Sequence, residues 1–171
     1  TRAEQANEDA GDAMRAVLRG LGAQMAAFDG PRILLAHAMV RGSVTSTGQP
    51  LVGCDLEIGV EDLALAQAHA VVLGHIHKGQ AWDAPMPIIY PGSPRRTAYG
   101  EIEAKRFVVL DVECAQVDEG EQRVSVTVTD VETPCAPMFM FECAWCPTAE
   151  GEARWTALDL QQMFDNVTVN N

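Results

Sequence analysis

Ala70-Val71-Val72-Leu73-Gly74-His75-Ile76-His77 is an apolar run that stops at a glycine and two histidines one residue apart. Four consecutive apolar residues followed by a chain breaker read as a buried strand. If the backbone bends at Gly74, both imidazoles can enter one pocket at the strand's carboxyl end. Neutral imidazole is a common ligand for zinc, manganese and iron. An earlier apolar run, Ile33-Leu34-Leu35-Ala36, ends in His37. Two strands that each end in histidine suggest a metal site shared between them.

Working outward, Glu8 to Phe28 reads as a helix, with Met14, Val17, Leu18, Leu21 and Met25 at three- and four-residue intervals. Gly20 and Gly22 weaken it, and Asp29-Gly30-Pro31 ends it. Arg32 to Ala36 is then a short buried strand, Gly42 to Gly53 a loop, and Val60 to Gln67 a short helix with Glu61 and Asp62 at its amino end. Beyond the histidines a loop is expected over Lys78 to Met86. Strands follow over Pro87 to Tyr90, Thr97 to Ile102 and Phe107 to Val112, with a tight turn at Pro91-Gly92-Ser93-Pro94. Val124, Val126 and Val128 alternate with Ser125, Thr127 and Thr129, the signature of a half-exposed strand over Gln122 to Val131. Asp118-Glu119-Gly120 suits a hairpin turn before it. A further strand is expected near Met138 to Phe141 and a weak helix over Trp155 to Phe164. Helix and strand come first and a run of strands afterwards. That order predicts a mixed α/β fold whose second part is antiparallel.

The 171 residues suit one domain or a large part of a bigger one. No stretch approaches the ~20 apolar residues of a membrane span, and no secretory leader is visible, which predicts a cytoplasmic protein without a membrane partner. The chain does not begin with methionine, so a fragment or processed product is expected. A net charge of −12 argues against nucleic acid, but its distribution weakens the objection. Between Arg32 and Arg106 there are seven basic and seven acidic residues, so the histidine-bearing segment is neutral and the excess acid lies in the flanks. The five cysteines, Cys54, Cys114, Cys135, Cys143 and Cys146, are expected to stay reduced. Cys143-Ala-Trp-Cys146 has the spacing of a zinc or redox pair, with Cys135 a possible third ligand. No second pair accompanies it, and ordinary thiols are the favoured reading.

Leu34-Leu35-Ala36-His37 with Val40 and Gly42, then Val71-Val72-Leu73-Gly74-His75-Ile76-His77-Lys78, then Ile89-Tyr90-Pro91-Gly92-Ser93-Pro94-Arg95 and Gly100-Glu101 occur in that order and spacing. This resembles the carboxyl-terminal half of a calcineurin-like metallophosphoesterase, and within that superfamily the DNA repair exonuclease branch of SbcD-type nucleases. The match covers about residues 32 to 112. The resemblance implies mixed sheets of a metallophosphoesterase-type β-sandwich flanked by helices, with residues 1–112 as the carboxyl-terminal half of that domain. Residues 113–171 would then be an acidic, β-rich cap. It also implies two divalent ions, manganese in most of this branch, with iron or zinc as alternatives. His37 and His75 match ligands of one metal and His77 a ligand of the other. Two such ions, roughly 3.5–4 Å apart, lower the pKa of a bound water and clamp phosphate oxygens for in-line attack. Arg95 or Arg96 would be the contact to substrate phosphate. DNA is the implied substrate, and an SMC-like ATPase subunit and a homodimer are the implied partners.

The chain also departs from the family. Asp-x-His, Gly-Asp-x-x-Asp and Gly-Asn-His-Asp, which supply the remaining ligands, do not occur, and position 38 is Ala where relatives often carry histidine. Three neutral imidazoles without carboxylates would hold two divalent ions poorly. The chain is therefore expected to be inactive alone and to need a missing amino-terminal half. A non-catalytic module derived from the nuclease fold and kept for binding a protein, or a small-molecule phosphatase or nucleotidase, fits the same residues. His69 reads as a solvated or hydrogen-bonded residue rather than a ligand. Trp82 reads as the lid of a hydrophobic edge rather than a base-stacking platform.

Overall fold

Residues 2–46, 57–82, 84–118 and 121–136 are described in a computed structural model of the chain, and all lie in one unit, Thr1–Phe139. Helix α1 spans Arg2–Ala26, strand β1 Ile33–His37, β2 Met39–Val40, β3 Glu57–Ile58, helix α2 Val60–Leu63, β4 Ala70–Gly74, β5 Gln80–Trp82, β6 Ile88–Tyr90, β7 Arg106–Asp118 and β8 Glu121–Glu132. The result is a mixed α/β fold of two helices and several small sheets. The principal sheet has the order β1-β4-β6-β5, with β1, β4 and β6 parallel and β5 antiparallel at the edge.

The sheet's two faces follow from its register. Leu34 pairs with Val71, and Val71 with Ile88. Their side chains share the buried face, where Leu18, Leu63, Leu73 and Tyr90 complete the core. Fully burying a side chain of this size contributes about 1.5–3 kcal/mol, so this cluster is the main cohesive element of the fold. The opposite face carries Leu35, which is 73% exposed. The expected buried strand at β1 is thus buried on one face only, because β1 lies at the sheet's edge.

Helix α1 begins six residues earlier than its apolar periodicity predicts and runs through Gly20 and Gly22. Gly22 has a packing role: a Cβ there would lie 2.1 Å from the Leu65 carbonyl oxygen. The absent side chain lets the helix close on the 3₁₀ turn Ala64–Ala66 that follows α2. The short helix expected over Val60 to Gln67 therefore forms as α2 plus that turn.

Two expectations fail. The loop predicted over Lys78 to Met86 contains β5, whose Ala81 pairs with Ile89. Thr97 to Ile102 forms bends and a turn rather than a strand, because Thr97 and Glu101 direct their hydrogen bonds to each other. β7 and β8 form a long antiparallel hairpin, with Leu110 opposite Val128. Glu119 and Gly120 of its expected turn lie outside the described residues, as do residues 138–141 and the helix predicted over 155–164. No helix among the described residues is long and apolar enough to cross a membrane.

Candidate metal centre

The carboxyl ends of β1 and β4 lie side by side, with His37 opposite Gly74. This register places the His37 ring over the Gly74 backbone: a Cβ on Gly74 would stand 3.0 Å from His37 Nδ1. The chain then turns sharply. His75 adopts φ +109°, a region that side chains other than glycine rarely occupy and that costs on the order of 1–3 kcal/mol. This conformation accompanies a close approach between the His75 and His37 rings, with centroids 5.2 Å apart and planes inclined at 73°. Two of the three expected ligands therefore meet, coming from neighbouring parallel strands.

His77 is held differently. Its Nδ1 lies 2.9 Å from Glu101 Oε1 and 3.0 Å from Thr97 Oγ1. Glu101 is only 6% exposed and pairs at 2.7 Å with the ammonium of Lys105, which is 1% exposed. Lys105 also donates to Glu103 Oε1 at 2.7 Å, and Ser46 Oγ donates to the same oxygen at 2.8 Å. Burial alone would raise the Glu101 carboxyl, but hydrogen bonds from Lys105, Thr97 and His77 outweigh it and hold the group down to about 2. Glu103 is likewise shifted downward: burial opposes the charge, and the bond from Lys105 prevails.

The backbone around His77 is fixed by the turn that follows β6. Ser93 N donates to the His77 carbonyl at 3.0 Å. Gly92, at φ +85°, approaches so closely that a Cβ would stand 2.8 Å from that same oxygen. Tyr90 is buried, and its hydroxyl accepts from Val40 N at 3.0 Å while donating to the Ala38 carbonyl, which ties β6 to the segment after His37. Tyr90-Pro91-Gly92-Ser93 thus supports both strand ends. A cavity of about 280 Å³ opens at His75 and His77, lined also by Thr45, Ser46, Ile76, Ala98, Gly100 and Glu101.

The remaining candidates separate clearly. The Arg96 guanidinium donates to the carbonyls of Glu101 at 2.8 Å, Ala136 at 3.0 Å, Cys135 at 3.4 Å and Glu103 at 3.5 Å, so it straps loops together and has little left for a phosphate. Arg95 is exposed. Both ring nitrogens of His69 lie 3.0 Å from Arg32 donors, and burial, followed by that cation's charge, lowers its pKa. His69 is a hydrogen-bonded residue, as expected. The Trp82 ring packs edge-on against Tyr90 with centroids 5.6 Å apart. Cys135 Sγ accepts from Arg96 N at 3.2 Å, while Cys54, Cys143 and Cys146 lie outside the described residues. Glu101, Thr97 and Lys105 escaped the sequence reading as functional residues. The one signal was Gly100-Glu101 closing the family-like pattern.

Among the described residues, no group of three or more His, Cys, Asp or Glu side chains is arranged to hold a metal ion. The donor set fits such a centre in part. His37 and His75 bring two imidazole rings together, and His77 has a carboxylate partner of the kind that orients metal-bound histidine. Among the described residues, no carboxylate completes a ligand group with them. No protein-family model matches the chain, and no curated protein matches it.

Proposed function

We propose that the chain is the second half of a two-metal-dependent phosphoesterase, a DNA nuclease that hydrolyses phosphodiester bonds. The observation that carries this reading is the meeting of His37 and His75 at the ends of adjacent parallel strands, 5.2 Å apart. In this reading the four-stranded sheet belongs to a metallophosphoesterase-type β-sandwich. His37 and His75 would hold one ion and His77 the other, with Mn²⁺ the first candidate and iron or zinc the alternatives. Metal ions bound there would supply an activated water and charge neutralisation for the phosphate oxygens. The chain's own contributions are to aim imidazoles into a common cavity and to keep their backbone rigid through Tyr90 and Ser93. Arg95 is left as the cation for substrate phosphate. The DNA branch is favoured over a small-molecule phosphatase by the Tyr90-Pro91-Gly92-Ser93-Pro94 turn, which buttresses His77. An SMC-like ATPase and a second copy of the chain are the partners this branch implies.

Supplying a polypeptide segment with Asp-x-His and Gly-Asn-His motifs, together with Mn²⁺, should give phosphodiesterase activity. Assays on bis-p-nitrophenyl phosphate and on single- and double-stranded DNA separate the substrate classes. His77→Ala should abolish the activity, and full activity in that variant would remove the metal role. A non-catalytic binding module is the second reading, favoured by the lack of a complete ligand group among the described residues. Inactivity of the reconstituted pair, with a stable fold, would select it.

A further inference from the structure

The group beside His77 is built more carefully than a surface histidine requires. Glu101 Oε2 accepts from Lys105 Nζ at 2.7 Å and from Thr97 N at 3.0 Å. Glu101 Oε1 accepts the Thr97 hydroxyl at 2.7 Å. That bond uses the only hydrogen Thr97 Oγ1 has, so towards His77 this oxygen is an acceptor too. His77 Nδ1 therefore faces two acceptors, at 2.9 and 3.0 Å, and can satisfy them only by carrying the proton. Histidine left to itself in water prefers the proton on Nε2, so the environment opposes the intrinsic choice.

We propose that Glu101, seated by Lys105 and Thr97, is a positioning residue that locks the neutral His77 imidazole in its Nδ1–H form, leaving the Nε2 lone pair free to bind a ligand. No described residue bonds Nε2, and the side chain is 51% exposed at the cavity wall. A carboxylate behind an imidazole fixes which nitrogen is basic and raises its donor strength. Lys105 anchors the carboxylate in turn and continues through Glu103 to Ser46, so the network reaches a second wall of the same cavity. The proposal extends the metal reading above, yet it rests on hydrogen bonds alone and is tested without metal.

The experiment is a long-range ¹H–¹⁵N correlation spectrum of the ¹⁵N-labelled, metal-free chain at about pH 8.5, above the ordinary imidazole range. His77 is assigned by the signals lost in His77→Gln. The expected pattern has Nδ1 protonated and Nε2 bare; the reverse pattern, or an averaged one, overturns the proposal. Glu101→Ala should move the ring towards the Nε2–H form. If that variant does not fold, the double change Glu101→Ala with Lys105→Met removes the stranded ammonium and is read in the same way. An unchanged tautomer in either folded variant overturns the role of Glu101. Adding Mn²⁺ together with the segment that carries Asp-x-His and Gly-Asn-His then tests the underlying reading separately. A bare Nε2 in the metal-free chain, with no Mn²⁺-induced broadening of His77 in that reconstituted pair, would keep the positioning role and remove the metal centre.

Discussion

The strand ends at His37 and His75 and the loop from Thr97 to Lys105 bring imidazoles to the same neighbourhood by opposite means. At the strand ends the backbone does the work: parallel register sets His37 over Gly74, and His75 turns at φ +109°. No hydrogen bond from a described side chain steadies either ring. In the loop, side chains do the work, with Glu101 and Lys105 nearly inaccessible to solvent and His77 leaning on them. A backbone device leaves the ring's nitrogens uncommitted but stores strain. A side-chain device commits one nitrogen and depends on a buried ion pair. The two regions should therefore answer perturbation with opposite signs.

The largest effect is expected where the ion pair is broken. Lys105→Met leaves the carboxylates of Glu101 and Glu103 without their cation, and orphaning one partner of a buried pair costs about 3–5 kcal/mol. Chemical denaturation should show a loss of this size, and a loss below ~1 kcal/mol would mean that the pair is effectively solvated. Acid should expose the same pair. Glu101 is held at about 2 against an ordinary 4.5, so the unfolded chain takes up its proton first. Its contribution is complete above about pH 4.5, falls with pH and is gone near pH 2. The decline should be on the order of 3 kcal/mol. It should flatten in Lys105→Met, and an unchanged acid slope in that variant would locate the acid sensitivity elsewhere.

This contrast also marks how far the sequence could be read. β1, β4 and β6 were legible because parallel strands covered on at least one face must be apolar, and each run stops where a polar or turn-forming residue begins. The meeting of His37 and His75 was legible as well, since it follows from two strand ends. β5 was not, because Gln80-Ala81-Trp82 is a short edge strand whose composition matches a loop. Nor was the buried network. Glu101 and Lys105 are four residues apart in a segment that is neither helix nor strand, so no periodicity announces their pairing. The expected strand at Thr97 to Ile102 failed for the same reason: side-chain bonds took the place of a ladder.

A smaller effect should separate the two histidines of the Gly-His-Ile-His stretch. Glycine adopts positive φ without penalty, so His75→Gly should relieve strain and raise stability by about 1 kcal/mol while removing a candidate ligand. His77→Ala removes a hydrogen bond to a buried carboxylate and should lower stability by about 1 kcal/mol. Thermal or denaturant unfolding of the two variants side by side tests the difference in sign. Equal destabilisation by both would mean that His75 is held by contacts rather than by its backbone.

The smallest effect on stability belongs to Gly74→Ala, and it is the most local probe of the strand ends. The added Cβ would stand 3.0 Å from His37 Nδ1, a contact that a partly exposed ring can relieve by swinging away. The fold should therefore survive with a loss below about 1 kcal/mol, in the range of ordinary surface changes. The His37 ring, however, must leave its place beside His75. Histidine ring resonances of the variant should shift at His37 and His75 while those of His77 stay put, because Glu101 and Thr97 hold that ring through separate contacts. If His77 shifts as much as His37, the two regions are coupled, and the backbone and side-chain devices form one mechanical unit.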